Sequence, residues 1–124
     1  MFRGTKVGLL SVAILPVGLG FAFQGDAVVT PGPISYATQI APLFAETCVS
    51  CHGTETQEAG LALHTYEAVM KGSEYGAVIE AGDPGASLLL DMISAGEMPQ
   101  EADALSADQV AMVRSWIEAG AENN

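Results

Sequence analysis

The stretch ETCVSCHGTE, residues 46–55, holds both cysteines of the chain, Cys48 and Cys51, and one of its two histidines, His52. Two cysteines separated by two residues can form a disulfide, a redox-active dithiol, part of a zinc site, or an attachment point for haem. Which of these applies depends on the other ligands in the chain and on the secondary structure that the flanking sequence predicts.

Three of these four chemistries fit the chain poorly. A disulfide between Cys48 and Cys51 would close a very short loop and add little stability. A thioredoxin-type dithiol follows a strand in a βαβ unit, and the sequence predicts no such unit. A structural zinc needs four ligands. The only further candidates are His64 and His52, and His52 stands directly beside Cys51.

Covalent attachment of one haem accounts for all three residues. Each thiol forms a thioether with the haem, and the adjacent imidazole of His52 becomes the proximal iron ligand. One helical turn from Cys48 to Cys51 would place both sulfurs along one haem edge. A small helical module with long loops also lacks a large core of its own, and a haem would fill its centre.

The flanking sequence predicts an all-α module, because apolar residues recur at helical spacing and no segment alternates as a strand would. The first helix is expected over about residues 39–51, with Pro42 in its first turn. Capping and stop residues delimit three more helices: Thr65 and Gly72, Asp83 and Gly96, and Ser106 (with Gln109 in capping-box spacing) and Gly120. The apolar stripes of the last two helices are Leu88, Leu89, Met92 and Ile93, and Met112, Val113, Trp116 and Ile117.

The N-terminal segment has the composition of a secretory signal peptide. Two basic residues precede an uncharged apolar run over residues 7–23, with small residues at positions 20 and 22. The run is at the lower edge of the length that a spanning helix needs, so an uncleaved membrane anchor is the alternative. The expected organisation is a signal peptide or anchor at 1–22, a linker at 23–35 and one folded domain at 36–121.

The charge is strongly unbalanced, with 15 acidic and 4 basic residues and a net charge of −11. Such a surface repels nucleic acid and anionic lipid, and it favours partners with a basic docking patch. We therefore expect no nucleic-acid partner. Membrane contact is expected only through a retained N-terminal helix or through a membrane-bound partner complex.

Met98 is the candidate for the second axial ligand of the iron. It lies in the loop SAGEMPQE, where Pro99 holds it in an extended conformation that could project its thioether opposite His52. His64 is the rival and would give a bis-histidine iron. The methionines at 70, 92 and 112 lie on helical stripes, where core packing explains them.

Cys48-x-x-Cys51-His52, a late Met-Pro loop and an aromatic last helix together resemble class I cytochrome c, and the module as a whole resembles the planctomycete-type cytochrome c domain. The residues that carry this resemblance are Ile40, Pro42, Leu43, Phe44, Gly60, Leu61, Leu63, Gly72, Gly82, Pro84, Ser87, Leu88, Leu89, Met98, Pro99, Leu105, Ser106, Trp116, Ile117, Gly120 and Ala121. Ala81 departs from the family's usual proline and His64 from its usual acidic residue.

The resemblance implies a small class I cytochrome c-like fold wrapped around one covalent haem c, with His52 as the proximal and Met98 as the distal ligand. Phe44 and Trp116 would then join the first and last helices. The expected function is that of a non-enzymatic monohaem electron carrier in the periplasm or another extracytoplasmic space. One alternative is a fixed, membrane-anchored subunit of a respiratory or photosynthetic complex. A haem sensor or peroxidase is less favoured, because no distal His/Arg pair is evident.

Overall fold

The computed structural model describes residues 32–124, together with residues 8, 13, 14, 18 and 20. The predicted signal peptide or anchor (1–22), apart from those five residues, and positions 23–31 of the predicted linker lie outside the described residues. Among the described residues, no helix has the length and apolar character needed to cross a membrane.

The described part of the chain is helical. It contains α1 (Ala41–Thr47), α2 (Tyr66–Lys71), α3 (Leu88–Ser94) and α4 (Ala107–Glu118), with a π-helical turn at Tyr36–Ile40 and 3₁₀ turns at Glu58–Gly60 and Pro84–Ala86. Within residues 32–124 no strand is formed, and the only β-type pairings are isolated bridges between His52 and Gln57 and between Ser73 and Gly76. The predicted all-α fold class is therefore confirmed.

The first helical segment begins and ends earlier than the predicted 39–51. It starts at Tyr36 as a π-helical turn and continues as α1 only to Thr47. Pro42 explains the wide turn, because its missing N–H and its ring cannot be accommodated in a regular helix interior. The Ala41 amide accordingly donates five residues back, to the Tyr36 carbonyl.

The third predicted helix is broken at Ser87. The Asp83 side chain caps only the 3₁₀ turn that follows it, and α3 begins after an extended residue, Ser87 (φ −91°, ψ 102°). The fully buried Ser87 hydroxyl donates to the carbonyl of Asp83 (2.9 Å) and accepts from the amide of Glu80 (3.0 Å). These bonds hold the backbone out of the helical conformation.

This break changes the side of α3 that faces the core. Leu89, Leu90 and Ile93 are buried, whereas Leu88 is 50% exposed and Met92 is half-buried. The predicted apolar stripe is therefore wrong at Leu88 and omits Leu90. The reason is that the helix starts at Leu88, four residues later than the predicted start at Pro84, and takes its orientation from the Ser87 hydrogen bonds.

The helices α2 and α4 begin as predicted. The Thr65 side chain accepts from the Ala68 amide at the start of α2. At the start of α4, the amide of Gln109 donates to the Ser106 hydroxyl (3.2 Å), and the amide of Ser106 donates to the Gln109 side chain (2.9 Å). Both helices begin where a side chain caps an amide only three residues away, so the sequence alone predicted their first residues correctly.

The core joins the first and last helical segments. The Tyr36 and Trp116 rings lie 5.5 Å apart, and the indole N–H of Trp116 donates to the Glu122 carbonyl. Phe44, which the resemblance assigned to this junction, is buried in the same cluster. The junction is extended by Asn124, whose side chain and backbone bond to residues 34–37.

Candidate functional site

The structure brings Cys48, Cys51 and His52 together in a single turn that follows α1 directly. The amides of Cys51 and His52 both donate to the Cys48 carbonyl, at 3.2 and 2.9 Å. The helix itself ends at Thr47, so the predicted helical turn is present as a separate turn rather than as part of α1. Two thiols and an imidazole are thus held within five residues by backbone hydrogen bonds.

The ring of His52 is oriented by a backbone oxygen. Its Nδ1 lies 3.3 Å from the carbonyl oxygen of Leu61. A carbonyl only accepts hydrogen bonds, so this contact places the proton of the neutral ring on Nδ1 and leaves the lone pair of Nε2 free. The amide of Leu63 also donates to the His52 carbonyl at 2.7 Å. His52 is therefore held at both its backbone and its ring, in the form that a metal ligand needs.

Gly53 allows the chain to turn closely after His52. A Cβ atom at this position would lie 2.4 Å from the carbonyl oxygen and 2.8 Å from the Cγ1 of Val49. The Gly53 amide also donates to the Thr56 carbonyl at 2.7 Å. Only glycine fits here unless the backbone shifts. In the sequence, the only sign of this close turn is the position of a glycine directly after His52, and the sequence-based predictions did not use it.

The two thiols have different surroundings, and neither forms a disulfide. Cys48 is half-buried against the core, and its sulfur lies 3.2 Å from the hydroxyl of Thr47. Burial raises the pKa of the Cys48 thiol, and the hydrogen bond with Thr47 partly offsets this. Cys51 is exposed.

This difference predicts an order of reaction in protein produced without haem attachment. At about pH 8, iodoacetamide is expected to modify Cys51 before Cys48, because the thiolate is the reactive form and Cys48 is both shielded and harder to ionise. Because burial raises the pKa of Cys48, its modification rate should continue to increase with pH above the pKa of an ordinary thiol. Peptide mass spectrometry over a pH series measures both rates. Equal rates at the two cysteines throughout the series would contradict the observed burial of Cys48.

Met98 lies in a loop that is fixed to the end of α3. Gly96 adopts a positive φ of +72°, its amide donates to Ile93, and the amides of Glu97 and Met98 both donate to the Met92 carbonyl (3.0 and 3.3 Å). This is a Schellman motif, in which glycine ends a helix and reverses the chain. Met98 is half-buried and packs against the same core cluster as Cys48, and its peptide bond with Pro99 is cis.

His64, the rival ligand, is placed differently. Its side chain is exposed, and it follows Leu63, the residue whose amide bonds to the His52 carbonyl. It therefore belongs to the segment whose Leu61 carbonyl and Leu63 amide support His52. Two surface clefts, of about 550 and 540 Å³, lie elsewhere along α4, and no candidate ligand lines either of them.

A family model described as Planctomycete cytochrome C matches residues 48–101. The predicted resemblance is confirmed. The match begins at Cys48, covers somewhat less than half of the chain, and includes Cys51, His52, His64 and Met98. It indicates a c-type cytochrome, and a cytochrome c domain implies a covalently bound haem c. No curated protein and no solved structure matches the chain.

The residues of the matched segment fit a haem c. Two unpaired thiols lie in one turn, and the next residue is a histidine with its Nε2 free. Sequence reasoning identified these three side chains but missed the groups that support them, the Leu61 carbonyl and Gly53. A backbone oxygen leaves no trace in residue type, so Leu61 could not have been singled out by its chemistry.

Proposed function

We propose that the protein is a monohaem c-type cytochrome that passes single electrons between proteins outside the cytoplasm, with His52 and Met98 as the axial ligands of the iron. The observation that carries this proposal is the hydrogen bond from His52 Nδ1 to the Leu61 carbonyl. It leaves Nε2 free in the same turn that presents the thiols of Cys48 and Cys51. When bound, haem c supplies an iron centre that gains and loses one electron.

Each residue of the turn has a separate task in this function. Cys48 and Cys51 would hold the haem through two thioethers, so that the cofactor is retained in both oxidation states. His52 would bind the iron, and the carbonyl of Leu61 would fix its ring and increase its basicity as a ligand. Gly53 permits the turn that brings these groups together.

Met98 is favoured over His64 as the second ligand because it belongs to a different element from the segment that supports His52. Leu61 and Leu63 bond to the Nδ1 side and the backbone of His52, and His64 follows them directly. If haem is bound at His52, a second ligand would come from an element other than this supporting segment. Met98 comes from a different element, the loop after α3, and its backbone is held there by the Met92 carbonyl.

The location outside the cytoplasm is supported by the apolar run that follows two basic residues at the start of the chain. The net charge of −11 supports redox partners with a basic docking patch. A retained N-terminal helix would make the protein a fixed subunit of a membrane complex rather than a free carrier.

The test is the visible spectrum of the native protein and of two methionine variants. The ferric protein is expected to show the weak methionine-to-iron band in the far red. Met98→Ala should lose this band, and its reduction potential should fall by on the order of 0.1 V or more, since axial ligands move haem potentials over about 0.8 V. Met112→Ala, a half-buried methionine of α4, is the matched control and should retain the band.

A Met98→Ala protein with an unchanged ferric spectrum would exclude Met98 as the ligand. An open, ligand-binding iron in the wild type would instead favour a haem sensor or peroxidase. The intact mass of the native protein reports whether one haem is covalently bound. The same mass shows whether the chain begins at Met1, as an anchored subunit would, or near residue 23.

A further inference from the structure

Tyr75 is the most exposed large hydrophobic side chain of residues 32–124, with 84% of its surface accessible. It stands in a tight turn over residues 73–76, between α2 and the buried pair Val78 and Ile79. Neither the core nor the proposed haem ligation uses it. An aromatic ring of this size exposed almost completely forfeits the stabilisation that burial would bring.

The turn presents Tyr75 on a rigid backbone. The amide of Ser73 donates to the Gly76 carbonyl (2.8 Å), and the amide of Gly76 donates back to the Ser73 carbonyl (3.1 Å). The Ser73 hydroxyl accepts from the Tyr75 amide and lies 3.2 Å from the Gly76 carbonyl. Little backbone entropy would therefore be lost if the ring entered a binding partner.

Hydrogen bonds connect this turn to the cysteine turn. The amide of Glu74 donates to the Ala59 carbonyl (2.9 Å), and the amide of Glu58 donates to the Cys51 carbonyl (3.0 Å). At Gly60 the two segments come so close that a Cβ atom would lie 3.3 Å from the Glu74 backbone. One continuous surface, which we call the Tyr75 surface, is thus formed by exposed residues. These are Cys51, residues 54–60 and residues 74–77.

The charge of the Tyr75 surface has one sign. Glu55, Glu58 and Glu74 lie on it, and it contains no lysine or arginine. The nearest cation in the sequence is Lys71, which ends α2 before the turn. An exposed aromatic ring among carboxylates complements an apolar pocket with a basic rim.

We propose that the Tyr75 surface is the docking site for a redox partner protein whose apolar pocket, bordered by lysine and arginine side chains, receives the Tyr75 ring. The ring acts as the anchor, because aromatic side chains dominate the binding energy of small interfaces. The carboxylates steer the partner and set its orientation. That the partner is a redox protein rests on the proposed function, since Cys51 would carry one haem thioether at the edge of this surface.

A trivalent complex with aromatic ligands, tris(phenanthroline)chromium(III), serves as a probe because it combines positive charge with apolar faces and does not exchange electrons under these conditions. It is paramagnetic, so it broadens the NMR signals of amides near its binding site. Titration of the reduced holoprotein is expected to broaden residues 54–60 and 73–77 first. Broadening spread equally over all acidic segments, including residues 97–108, would overturn the proposal.

Variants test the role of the ring. Tyr75→Ala should weaken binding of the probe about two- to fivefold, the factor expected for loss of an exposed cation–π contact. Tyr75→Phe should retain binding, because the aromatic face remains. Glu74→Gln should weaken it, whereas Glu118→Gln on α4 is the charge-matched control and should not. Unchanged binding in Tyr75→Ala, or ring-current shifts showing that the haem covers Tyr75, would overturn the proposal.

The same variants then connect docking to electron transfer. Oxidation of the ferrous protein by tris(phenanthroline)cobalt(III) should slow in Tyr75→Ala by the same factor as probe binding, while oxidation by ferricyanide, an anion, should not. The chromium titration requires no electron transfer. It can therefore fail while the spectrum confirms the His52 and Met98 ligands, and it can succeed while that spectrum contradicts them.

Discussion

Replacing His52 with alanine is expected to abolish six-coordinate low-spin iron, whereas His64→Ala leaves the visible spectrum unchanged. These are the only two histidines of the chain, so each is the matched control for the other. The reason lies in their surroundings. The Nδ1 of His52 is bound to the Leu61 carbonyl, which orients the ring and leaves Nε2 free, while the side chain of His64 is exposed.

The measurement is the absorption spectrum of both oxidation states, combined with the fraction of protein that carries covalent haem. His52→Ala should give a high-spin spectrum and a reduced yield of holoprotein. Addition of imidazole to this variant should restore a low-spin spectrum, because the ligand is then supplied from solution. A low-spin spectrum that disappears in His64→Ala would show instead that the iron is held by His64.

The second large effect is expected at Gly53. Gly53→Ala should lower the free energy of unfolding by about 1–3 kcal/mol, the usual cost of forcing an extra methyl group into a packed site. The upper part of this range is expected, because the methyl group would meet a backbone carbonyl, Val49 O, at 2.4 Å. The displaced turn should also attach haem less efficiently, since it carries both thiols.

Urea denaturation of the holoprotein and the yield of covalent haem measure the two effects. Gly85→Ala is the control, because a Cβ atom there would meet only the Asp83 carboxylate, at an ordinary van der Waals distance of 3.5 Å. Gly85 lies in the 3₁₀ turn before α3 and should tolerate alanine with little change in either quantity. If Gly53→Ala were equally harmless, the close approach of Gly53 to Val49 would not be a requirement of the folded turn.

Together these experiments separate two contributions to the site. His52 would contribute the ligand atom, and its replacement is expected to remove that ligand while leaving the turn intact. Gly53 contributes only space, and its replacement displaces the turn while leaving every ligand in the sequence. The structure predicts that both variants carry less covalent haem. It also predicts that only Gly53→Ala has a lower free energy of unfolding than the wild type when the haem-free proteins are compared.

Sequence reasoning succeeded where a feature depends on neighbours along the chain. The capping box of Ser106 and Gln109 and the N-cap at Thr65 are formed as expected, because a side chain and the amide it caps lie within a few residues. The turn that holds Cys48, Cys51 and His52 belongs to the same class. Its three proposed haem-binding residues lie within five positions of one another, and the family match begins at Cys48.

The predictions failed where atoms distant in sequence decide the conformation. The buried hydroxyl of Ser87 bonds to Glu80 and Asp83, and this ends the predicted third helix and exposes Leu88. The predicted start of the first helix, at about residue 39, was wrong for a related reason. Its start at Tyr36 is held by Asn124 and by packing on Trp116, at the other end of the described chain.

The amino-acid sequence by itself therefore determined the helical class, the caps of α2 and α4, and the identity of the residues proposed to hold the haem. All of these depend on residue type and short spacing. The tertiary structure alone decided that the Leu61 carbonyl orients His52, that the loops carrying Cys51 and Tyr75 share one surface, and which side of α3 is buried. These depend on backbone hydrogen bonds between distant segments, and a carbonyl or amide is the same in nearly every residue.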